Sequence, residues 1–177
     1  MINEFSVHPK PQNNYAKLFS LLAMLLAVGC IILYSVIEHY KGVVGVVAMM
    51  FITTAVLIYT KYIAVDFYYD ITFDSEGIPL FVVRQIIGRR QTTLCRIELW
   101  DIESVEHQTD KERRAHKTAS GVRKYTYAPT VFPKENYLIT TGSYEKNEIV
   151  IECSQEFAEL LSSYAKEAKE MRVDEEE

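Results

Sequence analysis

Two long runs of apolar residues dominate the first third of the chain. The runs cover residues 18–37 and 42–60, and neither contains a charged side chain. At 1.5 Å per helical residue, each run extends roughly 30 Å, about the thickness of the hydrocarbon core of a bilayer. Only residues 38–41 separate them. The pattern predicts a transmembrane helical hairpin over residues 18–62, with its spans at 18–38 and 42–62.

The residues before the first run are polar and contain Pro9 and Pro11. We expect residues 1–17 to be a flexible N-terminal leader without regular structure. The segment 27–30 resembles a weak lipoprotein box that ends at Cys30, but the apolar run continues for seven residues beyond that cysteine. A retained helix therefore fits this region better than a cleaved signal or a lipid attachment site.

Small residues within the two runs suggest how the helices approach each other. Ala23 and Ala27 form a small-xxx-small pair, and Gly42 and Gly45 begin the second run. Small residues allow the backbones of membrane helices to come close together. The pair could form a dimerisation face, but packing within the hairpin is the simpler interpretation.

Two spans place both ends of the hairpin on the same side of a membrane. That side carries Lys10, Lys17 and Lys61, whereas the connecting loop carries Lys41 next to Glu38. The positive-inside rule then predicts that both termini face the cytoplasm. Three cysteines at 30, 95 and 153 show no framework spacing and are expected to be free thiols, in keeping with a reducing compartment.

From residue 66 onward the apolar residues alternate with polar ones, which is typical of strands. Turn residues such as Asp74-Ser75-Glu76-Gly77 separate the alternating segments. The predicted strands are 66–73, 78–84, 91–97, 102–108, 122–127, 136–141 and 148–153. Residues 109–121 are predicted to form a polar, charge-dense loop.

The apolar period changes to that of a helix after residue 153. Ser154 is a suitable N-cap, and the predicted apolar stripe consists of Phe157, Leu160, Leu161, Tyr164, Ala168 and Met171. One apolar stripe on a charged helix indicates that the helix packs against another element. Residues 173–177 are predicted to be an acidic tail that is too short and too charged to fold.

The order of these elements resembles the bacterial pleckstrin-homology-like (PH-like) membrane proteins, in which two transmembrane helices precede a small domain. The segment 69–78 is similar to the first hairpin of that family, and the segments 89–97 and 99–106 are similar to its third and fourth strands. The resemblance implies a protein of the bacterial inner membrane, with a membrane α hairpin plus a cytoplasmic α+β domain over residues 66–172. That domain would be an antiparallel barrel or sandwich of about seven strands, capped by one C-terminal helix. The first hairpin turn carries Asp74 and Glu76, which argues against inositol-phosphate recognition of the eukaryotic PH type.

No catalytic constellation, phosphate-binding loop or metal-ligand spacing occurs in the sequence. We therefore expect no enzyme activity, no cofactor and no metal site. The overall net charge of −5 also gives no footprint of nucleic-acid binding.

Residues 84–124 carry a net charge of about +4, whereas the chain from residue 154 onward carries about −5. Basic loops close to a bilayer are attracted to anionic headgroups by up to about 1 kcal/mol per cation. The candidate contacts with lipid or a partner are Arg89, Arg90, Lys111, Arg113, Arg114 and Lys117. The favoured hypothesis is a membrane-tethered interaction or scaffold module, an accessory protein of an envelope or transport complex that binds a protein partner or itself. Recognition of anionic lipid headgroups through the basic loops is the alternative, and an uncharacterised enzyme is a less favoured second alternative.

Overall fold

The structure is a computed structural model that describes residues 2–133, 135–142 and 146–176, without the side chains of Asp110, Arg114 and residues 173–176. The chain divides into two compact units. The helical unit contains residues 13–65 together with 130–132, and the sheet unit contains the described residues up to 12, then 66–129 and those from 133 onward.

The helical unit consists of two helices that are long and apolar enough to cross a membrane. Helix α1 covers Tyr15–Val36, and α2 covers Lys41–Ile58 and continues as one π-helical turn over Tyr59–Ile63. Nearly all their leucine, isoleucine, valine and methionine side chains point outward and are exposed. Such a surface is unfavourable in water and matches the environment of a bilayer.

Alanines fill the buried positions of the two helices. Ala23 and Ala27 are buried on α1, as are Ala48 and Ala55 on α2. The Ser20 hydroxyl donates a hydrogen bond to the carbonyl of Ala55 at 3.4 Å, so the two backbones run close together there. The small residues of α1 therefore pack inside the hairpin, which agrees with the simpler of the two sequence-based interpretations.

The N-terminal segment is not the unstructured leader that the sequence suggested. Residues Phe5–Val7 form a short strand, β1, that pairs antiparallel with the strand following α2. Phe5 lies opposite Ile71 and Val7 lies opposite Tyr69. The sheet unit is therefore built from chain segments on both sides of the helical hairpin.

Eight strands form two four-stranded sheets in the sheet unit. The first sheet has the order β1-β2-β3-β4 and the second has the order β5-β7-β8-β6. The strands after β1 are β2 (Asp66–Phe73), β3 (Pro79–Ile87), β4 (Arg90–Glu98), β5 (Ile102–Thr109), β6 (Arg123–Tyr127), β7 (Glu135–Thr141) and β8 (Asn147–Ile151).

The α+β class agrees with the prediction, but two details of the sheets differ. The pairing of β6 with β8 is parallel, whereas the other pairs are antiparallel as predicted. Among the described residues the two sheets stay separate and form no closed barrel. A single 3-10 turn over Leu99–Asp101 carries the chain from β4 to β5, that is, from the first sheet to the second.

Tyr69 and Phe157 lie at the centre of the core. Phe157 belongs to helix α4 (Gln155–Glu176), which begins with a hydrogen bond from the Phe157 N–H to the Ser154 hydroxyl at 3.3 Å, as the predicted N-cap requires. The rings of Tyr69, Phe81 and Phe157 lie 6.3 to 6.5 Å apart. The Tyr69 hydroxyl donates to the carbonyl of Tyr127 and accepts from the N–H of Glu152, so it joins the first sheet to the second.

Two further predictions about loops need correction. The charge-dense segment after β5 contains a short helix, α3 (Asp110–Ala115), which begins with a capping box between Thr109 and Glu112. Helix α4 continues to Glu176, so its backbone includes most of the segment that was predicted to be an unfolded acidic tail.

Candidate functional site

A cleft of about 570 Å³ lies between the two sheets of the sheet unit. Its walls come from the edge strand β4 of the first sheet and the edge strand β6 of the second. Strand β4 pairs only with β3, and β6 pairs only with β8, among the residues that the structure describes. Edge strands present backbone N–H and C=O groups that can pair with another chain. The lining residues include Leu80, Leu94, Cys95, Ile97, Tyr125, Tyr127 and Ile149 on the apolar side.

Leu94 reaches the cleft because β4 is irregular at this point. Val83 lies opposite Cys95, but the next residue, Arg84, lies opposite Thr93, so Leu94 is an extra residue in the ladder. Such a bulge bends the strand and redirects a side chain. Leu94 is 36% exposed although it is an aliphatic residue in a strand. The irregular register therefore places an apolar group at the surface of the cleft.

Two tyrosines form the opposite wall. Tyr125 and Tyr127 are separated by one residue on β6, so they point to the same face. Their rings are stacked with centroids 6.2 Å apart and an interplanar angle of 8°. Tyr125 is 37% exposed. Tyrosine combines a large apolar surface with a polar hydroxyl, and for this reason it is frequent at binding surfaces.

Charged side chains line the polar side of the cleft. They are Asp74, Arg96, Glu98 and Asp101, with a net charge of −2. Arg96 lies 3.7 Å from Asp74, and Glu98 accepts a hydrogen bond from the indole N–H of Trp100 at 2.8 Å. This side of the cleft is therefore electronegative.

Two titratable side chains of the cleft, Cys95 and Tyr127, have raised pKa values. Burial raises the pKa of Cys95 to about 11, so very little thiolate exists at pH 7. Burial, together with the nearby Cys95 and Tyr125, raises the pKa of Tyr127 to about 12. Within the described residues, no group of three or more histidine, cysteine or acidic side chains is placed to hold a metal ion. Neither the Cys95 thiol nor the Tyr127 hydroxyl is ionised to a large extent at neutral pH.

Five of the six basic residues singled out from the sequence, namely Arg89, Arg90, Lys111, Arg113 and Lys117, do not line this cleft. Arg89 and Arg90 are at the turn between β3 and β4. Lys111 and Arg113 are on α3, and Lys117 follows it in the loop to β6. The side chain of Arg114 lies outside the described residues. The structure thus divides the six between two separate loops, and their contact with lipid or a partner stays a prediction.

The cleft and the residues that line it were not evident from the sequence. The alternation Tyr125-Thr126-Tyr127 in a short polar strand could have indicated a binding surface, because it places two aromatic side chains on one face of the strand. The bulge at Leu94 had no such signal, since a register shift depends on the partner strand.

Comparison of the chain with protein-family models, with characterised proteins and with solved structures finds no match. The cleft therefore has to be interpreted from its own geometry.

Proposed function

We propose that this chain is a membrane-tethered interaction module that holds an extended segment of a partner protein in the cleft between β4 and β6. The observation that carries this proposal is the coincidence of two unpaired strand edges with exposed Leu94 and Tyr125 at one site. The partner would be a subunit of an envelope or transport complex, with this chain as an accessory component. The proposal makes the chain a binding protein and not an enzyme.

The mode of binding is strand addition. A peptide in an extended conformation can hydrogen-bond to the free edge of a sheet, while its alternate side chains enter pockets between the strands. Here an apolar side chain would lie between Leu94 and Tyr125. The net charge of −2 at the polar side favours lysine or arginine in the neighbouring positions of the peptide.

The order of elements supports a PH-like domain as the scaffold of this module. Apart from β1, the sheet unit has seven strands followed by one long helix, in the order that the resemblance implies. The parallel pair β6·β8 and the gap between the sheets are departures from a closed antiparallel barrel. In the turn after β2, the N–H groups of Glu76 and Ile78 donate hydrogen bonds to the Asp74 carboxylate, both at 2.9 Å. The carboxylates of Asp74 and Glu76 make this turn negatively charged, and such a turn is unsuited to inositol phosphates.

The helical unit supports the tethering. Two apolar helices joined by a four-residue link would cross a bilayer twice and leave both ends on one side. The lysines that flank the hairpin ends favour the cytoplasmic face of a bacterial inner membrane. The module would then present its cleft to cytoplasmic segments of neighbouring membrane proteins.

Site-specific photo-cross-linking in intact cells tests the proposal. A photoreactive phenylalanine analogue is placed at Leu94, at Tyr125 and, as a control, at Met171. Met171 is 44% exposed and does not line the cleft, so it matches the exposure of the two test positions. We expect Leu94 and Tyr125 to give the same discrete adduct with one protein, and we expect no such adduct from Met171.

A synthetic peptide from the cross-linked region then gives the quantitative test with the full chain in nanodiscs. Replacing Leu94 and Tyr125 together by serine should weaken its binding at least about tenfold, since buried anchors of this kind contribute about 1 to 2 kcal/mol each. Met171→Ser should leave binding unchanged. Adducts of equal yield at all three positions, or none at the two cleft positions, would contradict the proposal.

A further inference from the structure

The turn between β3 and β4 combines an exposed aliphatic side chain with two arginines. We define the hairpin tip as residues 86–90. Ile87 is 48% exposed, and Arg89 and Arg90 are also exposed. Gly88 adopts φ of +60°, which allows the tight turn between the paired residues Ile87 and Arg90. Within the described part of the chain, neither arginine has an ion-pair partner.

The register of the first sheet places this tip next to the start of β2. Ile86 lies directly opposite Asp66. Asp66 is the third residue after Ile63, the last residue of the π-helical turn that ends the second apolar helix. Three residues of chain reach at most about 11 Å. Ile86 is thus paired with a residue that lies only three positions along the chain from the end of the second apolar helix.

Charge changes sign along β3. The strand has nine residues, which corresponds to a length of about 30 Å. The turn before it, at residues 74–78, carries Asp74 and Glu76, whereas the turn after it carries Arg89 and Arg90. An anionic surface would attract the end with the arginines and repel the end with the acidic residues. This asymmetry of charge favours a bilayer with anionic lipids as the surface that the exposed tip contacts.

We propose that the hairpin tip is a second membrane contact, in which Ile87 enters the headgroup region and Arg89 and Arg90 bind lipid phosphates. Arginine suits this role because its guanidinium forms paired hydrogen bonds with phosphate oxygens. The two spans already hold the domain at the membrane, so the contact forms within one molecule and needs little intrinsic affinity. It would fix which face of the sheet unit points away from the bilayer, whatever segment the cleft holds.

The contact includes only two of the six cations that the sequence suggested. Lys111, Arg113, Arg114 and Lys117 belong to α3 or to the loop after it, where Glu112 and Asp110 accompany them. The hairpin tip has no acidic residue. Its selectivity for anionic lipid should accordingly be stronger than that of α3.

Spin labelling of the full chain in nanodiscs tests this contact. A nitroxide is attached to cysteine at position 87 or, as the matched control in the opposite turn, at position 76, in a background where Cys30, Cys95 and Cys153 are alanine. The nanodiscs contain phosphatidylcholine alone or with one-third phosphatidylglycerol. With the anionic lipid, we expect the label in Ile87→Cys to be shielded from a water-soluble nickel complex, while the label in Glu76→Cys stays accessible.

Arg89→Gln combined with Arg90→Gln should reduce the ratio of docked to undocked tip by about 30-fold, the change that corresponds to about 1 kcal/mol per cation. Equal nickel accessibility at positions 87 and 76 in the anionic nanodiscs would overturn the contact. Shielding that is the same with and without phosphatidylglycerol, and that survives both glutamine substitutions, would overturn the assignment to anionic lipid.

A second measurement needs no substitution. Arg89 and Arg90 are exposed trypsin sites in the unmodified chain, and the exposed Lys146, which is not among the six candidate contacts, provides an internal reference. Anionic nanodiscs should slow cleavage at the hairpin tip relative to Lys146, compared with phosphatidylcholine nanodiscs. An unchanged ratio would count against the contact even if the labelled variants failed to fold.

Discussion

Tyr69 connects the two sheets at the scale of a single residue. Its ring is fully buried between Phe81 and Phe157, and its hydroxyl bonds to the backbone of Tyr127 and of Glu152. Burial, the largest influence on its hydroxyl, raises the pKa of Tyr69 far above its ordinary value, so the hydroxyl stays protonated as a donor. One side chain thus satisfies two backbone groups of the second sheet.

Tyr69→Phe should lower the free energy of unfolding by about 1 to 3 kcal/mol, because it leaves a buried N–H and a carbonyl without their partner. The fluorescence of Trp100, the only tryptophan, reports on unfolding of the full chain in detergent. Tyr125→Phe is the matched control, since Tyr125 is partly exposed. Equal stability of both variants would show that the hydroxyl of Tyr69 does not join the sheets.

The ionised carboxylate of Glu148 should contribute to the free energy of unfolding at neutral pH, and this contribution should be lost in acid. Burial by itself would raise the pKa of this carboxyl, but the His116 imidazole, whose Nε2 lies 2.9 Å from Oε1, and a hydrogen bond from the Thr118 hydroxyl at 2.9 Å outweigh burial and lower it. Because the folded pKa is below the unfolded value, about 4.3, the stabilisation is present above that value and is lost as the pH falls through the folded pKa. Unfolding temperatures between neutral and acidic pH should therefore drop more steeply for the natural chain than for Glu148→Gln. Parallel pH profiles would contradict this role.

The side of α4 that packs was predictable, but not which residues fill it. Phe157, Leu161 and Ala168 are buried as predicted. Met171, also placed in the stripe, is exposed, while Ala158 and Ala165 are buried instead. Alanine carries little apolar surface, so Ala158 and Ala165 contribute only weakly to the apolar period, although they allow close approach of the helix.

At the scale of elements, the strands from β2 onward could be predicted because their alternation is local. Strand β1 could not, since its three residues carry no measurable period and its partner lies more than sixty residues away along the chain. Helix α3 could have been found from the Thr109-x-x-Glu112 pattern, which is a sequence signature of a helix start. The parallel pairing of β6 was beyond reach, because alternation does not specify which neighbour a strand selects.

Strand β1 should protect the edge of β2. Replacing residues 2–8 with a glycine–serine segment of equal length removes the pairing, the stacking of Phe5 on Phe157 and the hydrogen bond from Ser6 to Asp70. The amides of residues 69–71 should then exchange with deuterium at least about tenfold faster, since about 1.4 kcal/mol of local protection corresponds to that factor.

The amides of β3, which lie between two other strands, provide the internal control for this experiment. Unchanged exchange at residues 69–71 would show that β1 contributes no protection to the sheet.

At the scale of the whole molecule, the sequence indicated a hairpin of two apolar helices followed by an α+β unit. It did not reveal that the segment before the hairpin joins that unit, because this depends on pairing across the hairpin. It also did not reveal the cleft, whose walls belong to strands that are about thirty residues apart in sequence and have no ladder between them. Local patterns specify elements, whereas sites between elements depend on their tertiary arrangement.

The pairing of β1 with β2 requires that both ends of the hairpin lie on one side of a membrane. The most direct test is labelling with a membrane-impermeant maleimide in sealed inverted and right-side-out vesicles. Single cysteines are placed at Glu4, His39 and Glu76 in a cysteine-free background. The account predicts that Glu4→Cys and Glu76→Cys react only in inverted vesicles, and that His39→Cys reacts only in right-side-out ones. Labelling of positions 4 and 76 from opposite faces, or of all three from one face, would contradict it.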